Sequence, residues 1–393
     1  MKGREICVIG AGIGGLAVAL ALAGRGARVR VLERAPEIRE VGAGIQISPN
    51  GHVVLRALGL EREFDEIALR AGAVRLVNGM NGREVFRLDL ARLAAAQRYG
   101  FVHRADLLQL LEGAARAAGV QIEPGREVAE VVPHASRPQV LCTDGEWLEA
   151  DLVIGADGLH SRVRAALNGA DKPFFTRQVA WRALVPVVAG RQEPQASVYM
   201  GTGHHLVTYP LRGGRVMNIV AVQERDSWAD EGWFHKDDPA NLRRAFRGFV
   251  SDVQRLLAAV EDVYLWGLFR HPVAARWQGG RVALLGDAAH PTLPFLAQGA
   301  NLALEDAWVL AACLTGAGDP AEGLAAYQAR RYDRVVKVIE TANSNARHYH
   351  MAATPLRFAA HGALWIGSRV APALALKKFD WLYGHDVTDA EAG

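Results

Sequence analysis

Nineteen uncharged residues, Ile6 to Gly24, contain the run Gly10-Ala11-Gly12-Ile13-Gly14-Gly15, and no other stretch of the 393-residue chain so narrows what it can become. Preceded by Lys2 and Arg4 and containing Ala21-Leu22-Ala23, it has the outline of a secretory signal. The glycines argue against that, since each weakens a helix interior by about 1 kcal/mol relative to Ala. A nucleotide site needs them. Ile6 to Ile9 reads as a buried strand, Gly10-x-Gly12-x-x-Gly15 as a tight turn, and Leu16 to Leu22 as an apolar helix. The first glycine makes the turn, the second lets backbone approach a pyrophosphate, and the third lets helix pack on strand. Phosphates would then meet free N–H groups at the helix N-terminus. A second strand, Ala27 to Leu32, ends in Glu33, placed to accept hydrogen bonds from a ribose. Cleavage after Ala23 would destroy this fingerprint, so the segment is expected to stay in the protein.

The rest of the chain excludes several partner classes. Its 45 basic and 42 acidic residues leave a formal charge of +3 with no run of like charge, which disfavours nucleic acid. Cys7, Cys142 and Cys313 are far apart and in apolar surroundings, as expected of buried thiols in a reducing compartment. The most apolar later stretch, Leu356 to Phe379, is interrupted by Arg357, His361, Arg369 and Lys377-Lys378, so no span is expected and the location is read as cytoplasmic. His204, His290, His348 and His350 lack metal-ligand spacing, and no metal is expected.

Along the chain, a glycine-rich connection (39–50) leads to a short helix at His52 to Leu58, and Gly72 to Leu90 reads as a β-hairpin with its tip at Asn78 to Gly82. An amphipathic helix is predicted within 103–120. Strands follow at Glu127 to Val132, Gln139 to Cys142 and Asp151 onward, the last ending in Asp157-Gly158. By itself that turn implies no more than an Asx turn. Positions 180 to 270 are rich in aromatic and β-branched residues and predict a separate, mostly antiparallel sheet, with a hairpin at Arg212-Gly213-Gly214-Arg215. A third α/β strand ends in Gly286-Asp287, a helix begins near Asn301, and a long amphipathic helix runs from Ala321 to His350. Trp228 and Trp233 read as sheet or lid aromatics.

Three fingerprints in order, GAGIGG at 10–15, "DG" at 157–158 and "GD" at 286–287, resemble the single-component FAD-dependent aromatic hydroxylases, the family of salicylate hydroxylase, 3-hydroxybenzoate 6-hydroxylase, 6-hydroxynicotinate 3-monooxygenase and p-hydroxybenzoate hydroxylase. The likeness spans nearly the whole chain and is closest at "HRADL", "VIGADGLHSRVR", "YPLRGG", "LLGDAAHP", "GANLALEDA" and "DWLYGHD". It implies an α/β fold: a Rossmann-like FAD-binding domain of the p-hydroxybenzoate hydroxylase and glutathione reductase type, with an inserted, mostly antiparallel substrate sheet and C-terminal helices. The corresponding division is 1–72, 101–178 and 273–316 for FAD binding, 73–100 and 179–272 for the substrate domain, and 317–393 for the helical region.

The resemblance also implies roles. Gly10, Gly12, Ile13, Gly14 and Gly15 would line the pyrophosphate, Glu33 and Arg34 the adenosine end, and Arg104 the phosphate and ribose region. Asp157 would support FAD and border the nicotinamide path, and Asp287 would meet the ribityl or pyrophosphate part. Gly299, Ala300 and Asn301 would face the flavin ring through backbone, with Gln46 nearby, where the hydroxynicotinate enzymes have a histidine. Only one glycine fingerprint is present although two dinucleotides take part, and the family binds NADH or NADPH transiently, without a second such domain.

His205 and Tyr209, four apart on a predicted strand, share a face. From local sequence alone they read first as a core histidine and a buried tyrosine. The resemblance points them into a substrate cavity, His205 as general base on a phenol and Tyr209 orienting it, with Pro294 and Phe295 in the pocket; Arg182 reads either as the partner of a substrate carboxylate or as a surface or structural ion pair. Pro294 replaces a polar amide of the 3-hydroxybenzoate 6-hydroxylase pattern, so that regiochemistry is not implied. The expected reaction is NAD(P)H- and O₂-dependent hydroxylation of a small phenolic acid, salicylate-like or hydroxybenzoate-like, through an FAD C4a-hydroperoxide, by a monomer or homodimer. A hydroxynicotinate-like substrate, an FAD dehydrogenase or oxidase, and a non-catalytic flavoprotein are the alternatives.

Overall fold

β-Branched, charge-free segments make the centre of the molecule. The structure is a computed structural model describing residues 1–38, 44–133, 137–188, 190, 193–226, 235–350, 369 and 371–389. Trp228, Trp233, positions 39–43 of the glycine-rich connection and most of 356–379 lie outside the described residues.

With strands numbered in chain order, β1 (Glu5–Ile9), β2 (Arg28–Glu33), β8 (Gln121–Pro124), β12 (Leu152–Gly155) and β20 (Val282–Leu284) run parallel in the order β20-β12-β1-β2-β8, with β19 (Gln278–Gly279) antiparallel at the edge. Parallel strands are buried on both faces, which is why Ile6 to Ile9 and Leu152 to Ile154 need no polar alternation. Helix α1 (Ile13–Ala23) follows β1 and is apolar around most of its circumference, as a helix covered by neighbours on several sides must be. Two further helices enclose it, α4 (Arg104–Ala117) and α8 (Gly299–Gly316). Helix α8 begins two residues before the Asn301 start expected from sequence, and β2 runs one residue later than expected, so that Glu33 is its last residue.

Two small antiparallel sheets flank this layer. One is the meander β9 (Val128–Val132), β10 (Gln139–Cys142) and β11 (Trp147–Glu149), with α5 (Arg162–Asn168) against it. The other sets β7 (Gly100–His103) between β3 (Gly44–Ile47) and β4 (Leu69–Arg70), beside α2 (Pro49–Ala57) and α3 (Glu61–Ile67).

The region from 174 to 270 forms most of an eight-stranded sheet: β17 (His235–Asp237), β18 (Val263–Arg270), β13 (Phe174–Pro186), β16 (Val216–Glu224), β15 (His204–Leu211), β14 (Gln195–Gly201), β5 (Ala73–Asn78) and β6 (Glu84–Asp89), in that order. Pairing is antiparallel except between β14 and β5. Because side chains alternate along a strand, Val179, Trp181, Leu206, Ile219 and Ala221 fall on one face, under α6 (Pro239–Ala245) and α7 (Ser251–Ala258). Ala180, Val222, Trp266 and Leu268 fall on the other, toward Leu293 and Phe295. That second face turns toward the α/β layer.

The long helix α9 (Pro320–Tyr349) is pinned to α8 by charge. Arg331 lies between Glu305 and Asp306, all three almost completely buried, with the Asp306 contact at 2.7 Å, and Arg334 reaches Glu305 at 2.8 Å. Asn50 of α2 and His290 donate to the same two carboxylates, each at 2.6 Å. Burial by itself would raise both carboxyls, but the cations and donors outweigh it and bring each down to about 2. Among the described residues, no helix is long and apolar enough to cross a membrane.

Candidate active site

The glycines of the first turn divide their work. Gly10 has φ 101°, open to glycine and costly for other residues, and a Cβ there would lie 2.4 Å from the Ala156 carbonyl oxygen. On Gly15 it would meet the Gly10 carbonyl oxygen, and on Gly14 the Leu285 side chain and Ala303. These three therefore serve close packing of α1 on β1, β12 and α8. Gly12 differs: it is the N-cap of α1, makes no side-chain cap, and has nothing within 4 Å of where a Cβ would stand. Free amides with open space before them can receive an anion. Ile13 is buried beneath.

At the end of β2 the Glu33 carboxylate accepts from the backbone N–H of Ala11 (2.8 Å) and of Ala35 (2.9 Å). It thus braces the glycine turn, while Arg34 beside it is exposed. Asp157 is turned to its own chain: it accepts from the Ser161 hydroxyl (2.5 Å) and the Arg162 N–H (2.7 Å) at the start of α5. Burial raises its carboxyl and these hydrogen bonds oppose the rise. Asp287, in the turn after β20, is exposed to solvent with buried residues on either side of it. Desolvation pushes its carboxyl up, and His290 and Arg104 pull against it. Arg104, first residue of α4, thus lies near enough to Asp287 to act on its carboxyl, although the two are far apart in sequence.

The N-terminus of α8 also lacks a side-chain cap, which leaves its opening amides at Gly299, Ala300 and Asn301 available. Asn301 spends its side chain elsewhere: Oδ1 accepts from the Ser48 N–H, and Nδ2 donates to the carbonyls of Gln46 and Ala297. Ala297 holds φ 53°, in the left-handed region unusual for alanine, and turns the chain into this helix. The α1 and α8 helix starts are thus two places among the described residues with no side-chain cap over their opening amides.

Beyond α8 lies the sheet face carrying His205 and Tyr209, both buried. His205 meets the ring of Phe295 at 5.3 Å between centroids and that of Tyr349 at 5.3 Å. Its basicity is pushed well below the ordinary histidine value, first by burial and then by His350 and His204. Tyr209 packs on Phe101 and is hydrogen-bonded to Gln46, whose Oε1 also accepts from the Tyr99 hydroxyl at 2.8 Å. Burial raises the Tyr209 phenol, and Arg182 and Gln46 only partly offset this, so it stays protonated. Gln46 therefore belongs to the tyrosine side of the cavity as much as to the helix side. Arg182 lies 4.2 Å over the Trp266 ring, on the same sheet face as Ala180. Phe295 is buried and Pro294 exposed, both in the short turn before α8.

Several members of this site had no local signal. Asn218 of β16 is fully buried, and its Oδ1 accepts from the Gly44 N–H at 2.8 Å. Tyr99 is tied to Tyr383 of the "DWLYGHD" segment. The histidines discounted as metal ligands have other partners: His290 bonds Asp306, His348 the Ser344 carbonyl, His204 the Thr202 carbonyl, and His350 both His205 and Glu224. Among the described residues no three His, Cys, Asp or Glu groups are placed to hold a metal. The three cysteines are buried free thiols.

A family profile described as "FAD binding domain" matches residues 4–342. The chain is 38% identical over 359 residues to 3-amino-4-hydroxybenzoate 2-monooxygenase of Streptomyces cremeus, covering 89% of each chain. It is 32% identical to 3-hydroxybenzoate 6-hydroxylase 1 of Aquipseudomonas alcaligenes, over 98% of this chain and 99% of the relative. Among solved structures, HpxO of Klebsiella pneumoniae complexed with FAD and uric acid is 31% identical and superposes with a TM-score of 0.83, covering 93% of this chain and 94% of that one.

Proposed function

The chain belongs to the FAD-binding family of single-component aromatic hydroxylases, and from that premise we propose that it hydroxylates a small phenolic acid of the hydroxybenzoate or aminohydroxybenzoate class, using NAD(P)H and O₂. The observation that carries this reading is the sheet face itself. His205, Tyr209 and Arg182 share the face on which Ala180, Val222 and Trp266 pack with Phe295, and in this reading they serve as base, phenol donor and cation.

FAD, when bound, supplies the electrons taken from NAD(P)H and the activation of O₂. The residues that would hold it are Gly10, Gly12 and the α1 amides at the pyrophosphate, Glu33 and Arg34 at the adenosine end, Arg104 together with Asp287, Asp157 near α5, and Gly299 to Asn301 at the ring. In this division 1–72, 101–178 and 273–316 serve FAD, 73–100 and 179–272 the substrate, and 317–393 the helical support.

The chain's own work is binding and proton handling. Arg182 pairs the substrate carboxylate, a role suited to a planar guanidinium. Tyr209, fixed by Gln46, donates to the phenolic oxygen. His205 accepts the phenolic proton at a ring nitrogen, and the resulting phenolate is the better nucleophile toward an electrophilic oxygen. Phe295, Trp266 and Val222 keep water from the reacting carbon. A salicylate-type, decarboxylating outcome is not favoured, because the Streptomyces cremeus and Aquipseudomonas alcaligenes relatives, both above 30% identical, are an aminohydroxybenzoate and a hydroxybenzoate hydroxylase. An N-heteroaromatic acid is the second reading, motivated by the Gln46 amide between two tyrosine hydroxyls, able to donate to or accept from a ring nitrogen or oxo group.

The test is NADH and NADPH oxidation by the yellow holoprotein against hydroxybenzoates, aminohydroxybenzoates and hydroxynicotinates, with peroxide and ¹⁸O incorporation from ¹⁸O₂ measured together. Stimulated oxidation with ¹⁸O in the organic product is expected. Stoichiometric peroxide with no ¹⁸O in the product for every compound would reduce the reading to an oxidase.

A further inference from the structure

Three side chains far apart in sequence form a continuous hydrogen-bonded file from solvent to the cavity face of the eight-stranded sheet. The Glu224 carboxylate, at the end of β16 and 53% exposed, meets Nδ1 of His350 at 2.7 Å. Nε2 of His350 meets Nδ1 of His205 at 2.6 Å. The His205 side chain then faces Phe295 and Tyr349. The His350 backbone carbonyl accepts from the Gly203 N–H, which anchors the end of α9 beside β15.

Hydrogen-bond roles fix the tautomers. A carboxylate only accepts, so Nδ1 of His350 carries its proton. In neutral His350 Nε2 is then an acceptor, so the shared proton sits on Nδ1 of His205 and leaves Nε2 of His205 unprotonated. That is the nitrogen a base must offer to a substrate.

We propose that Glu224, His350 and His205 are a proton relay that moves the phenolic proton from the substrate cavity to solvent, with His350 and Glu224 acting through His205. The proposal rests on the reading of a phenolic substrate at His205. The substrate O–H breaks as an N–H forms at His205 Nε2. The Nδ1 proton of His205 passes to His350 Nε2, and the Nδ1 proton of His350 passes to the Glu224 carboxylate and on to water. One proton leaves, the substrate becomes a phenolate, and both imidazoles end neutral in the opposite tautomer. Reversal of the same steps returns a proton to the product.

The arrangement resolves a difficulty in treating His205 as a lone base. Burial makes its imidazolium unfavourable, and among the described residues no carboxylate compensates it by direct contact. Among the described residues the titratable groups facing His205 are His204 on its own strand, Tyr349 and His350 from the end of α9, and, through His350, Glu224 on β16. Those facing His350 are Glu224, His204 and His205. Passing a second proton outward as the first arrives avoids any buried cation.

The experiment uses FAD-loaded protein without NAD(P)H, mixed in a stopped-flow instrument with 3-amino-4-hydroxybenzoate or 3-hydroxybenzoate in weak buffer containing phenol red. Glu224→Gln and His350→Ala are expected to slow proton release at least tenfold while flavin absorbance gives a probe affinity within threefold of wild type. Added imidazole should restore release in His350→Ala. In ¹⁵N-histidine NMR spectra of the holoprotein, His205 and His350 should both show protonated Nδ1. Unchanged release in both variants, or His205 with its proton on Nε2, overturns the relay. Protonated Nδ1 on both rings in a protein that binds neither phenol supports the file and overturns the substrate reading instead.

Discussion

Gly15 and Gly10 are packed so closely that a Cβ on Gly15 would lie 1.9 Å from the Gly10 carbonyl oxygen, whereas a Cβ on Gly12, between them, would meet nothing within 4 Å. The two substitutions should therefore fail differently. Gly15→Ala must push α1 off β1 and is expected to give little folded protein. Gly12→Ala should fold, with an apo melting temperature near wild type, yet bind FAD at least tenfold more weakly because its methyl occupies the approach to the α1 amides. Thermal melts and FAD titration of the two apoproteins separate these outcomes, and equal FAD affinity in wild type and Gly12→Ala would remove the pyrophosphate from this turn.

The proposed base should leave a signature in pH. Burial, then His350 and His204, push the His205 imidazole well below 6.5, so its unprotonated form persists on the acid side of neutrality. The profile of kcat/KM is expected to stay flat from about pH 6.5 to 8, with any acid limb well below the ordinary histidine value. His205→Gln should lose roughly a hundredfold to ten-thousandfold in kcat, the usual worth of a positioned base. An acid limb centred near 6.5 that disappears in His205→Gln would mean the ring is more hydrated than its surroundings imply.

Tyr209 should behave as a neutral donor. Burial pushes its phenol up, with Arg182 and Gln46 giving only partial relief. Tyr209→Phe removes one hydrogen bond to substrate and leaves Gln46 with Tyr99 as its remaining hydroxyl partner. Neutral hydrogen bonds contribute about 0.5–1.5 kcal/mol, so kcat/KM should fall by roughly twofold to tenfold with the pH profile unmoved. A shifted profile in Tyr209→Phe would show that the phenol titrates in turnover.

How much of this was legible beforehand follows from the range of each interaction. The strand, turn, helix and strand around Gly10 to Glu33 are set by neighbours within a few residues, and the sequence pattern located both strands to within a residue, while the helix starts three residues earlier, at Ile13, than the Leu16 expected. The same holds for His205 and Tyr209, because alternation on a strand needs only the strand. Gly14 could be recognised as part of the turn, but its contact with Leu285 and Ala303 depends on where α8 lands. Asn301 could be tied to the start of α8, though not its side-chain bonds to Ser48 and Gln46, which close a gap of more than 250 residues. His350 looked like a stray histidine for the same reason, since its partners lie on β15 and β16. Glu305 and Asp306 carried no sign that Arg331 and Arg334 would neutralise them, because helix spacing shows which face a residue occupies and not which helix meets it.

That buried charge cluster makes the protein's acid sensitivity predictable in two stages. Buried histidines lose basicity on folding: burial lowers His52, His205 and His350, with nearby carboxylates opposing it at His52 and His350. The unfolded chain then binds more protons than the native one below about pH 6.5, so stability should fall as pH drops from 6.5 toward 5. Glu305 and Asp306 act lower. Their native carboxyls lie near 2 against ordinary values of 4.5 and 3.8, so their contribution is complete above the ordinary values and disappears as pH falls through 2. Arg331→Met would leave two carboxylates buried with fewer cations and should destabilise the fold by about 3–5 kcal/mol at pH 7, as expected when one partner of a buried pair is removed. Protonating those carboxylates is then easier, so the penalty in Arg331→Met relative to wild type should shrink as pH falls through 4.5. Denaturant melts of both proteins at pH 7, 5.5 and 4 check this, and a penalty independent of pH would mean that Arg331 stabilises α8 and α9 by packing and not by charge.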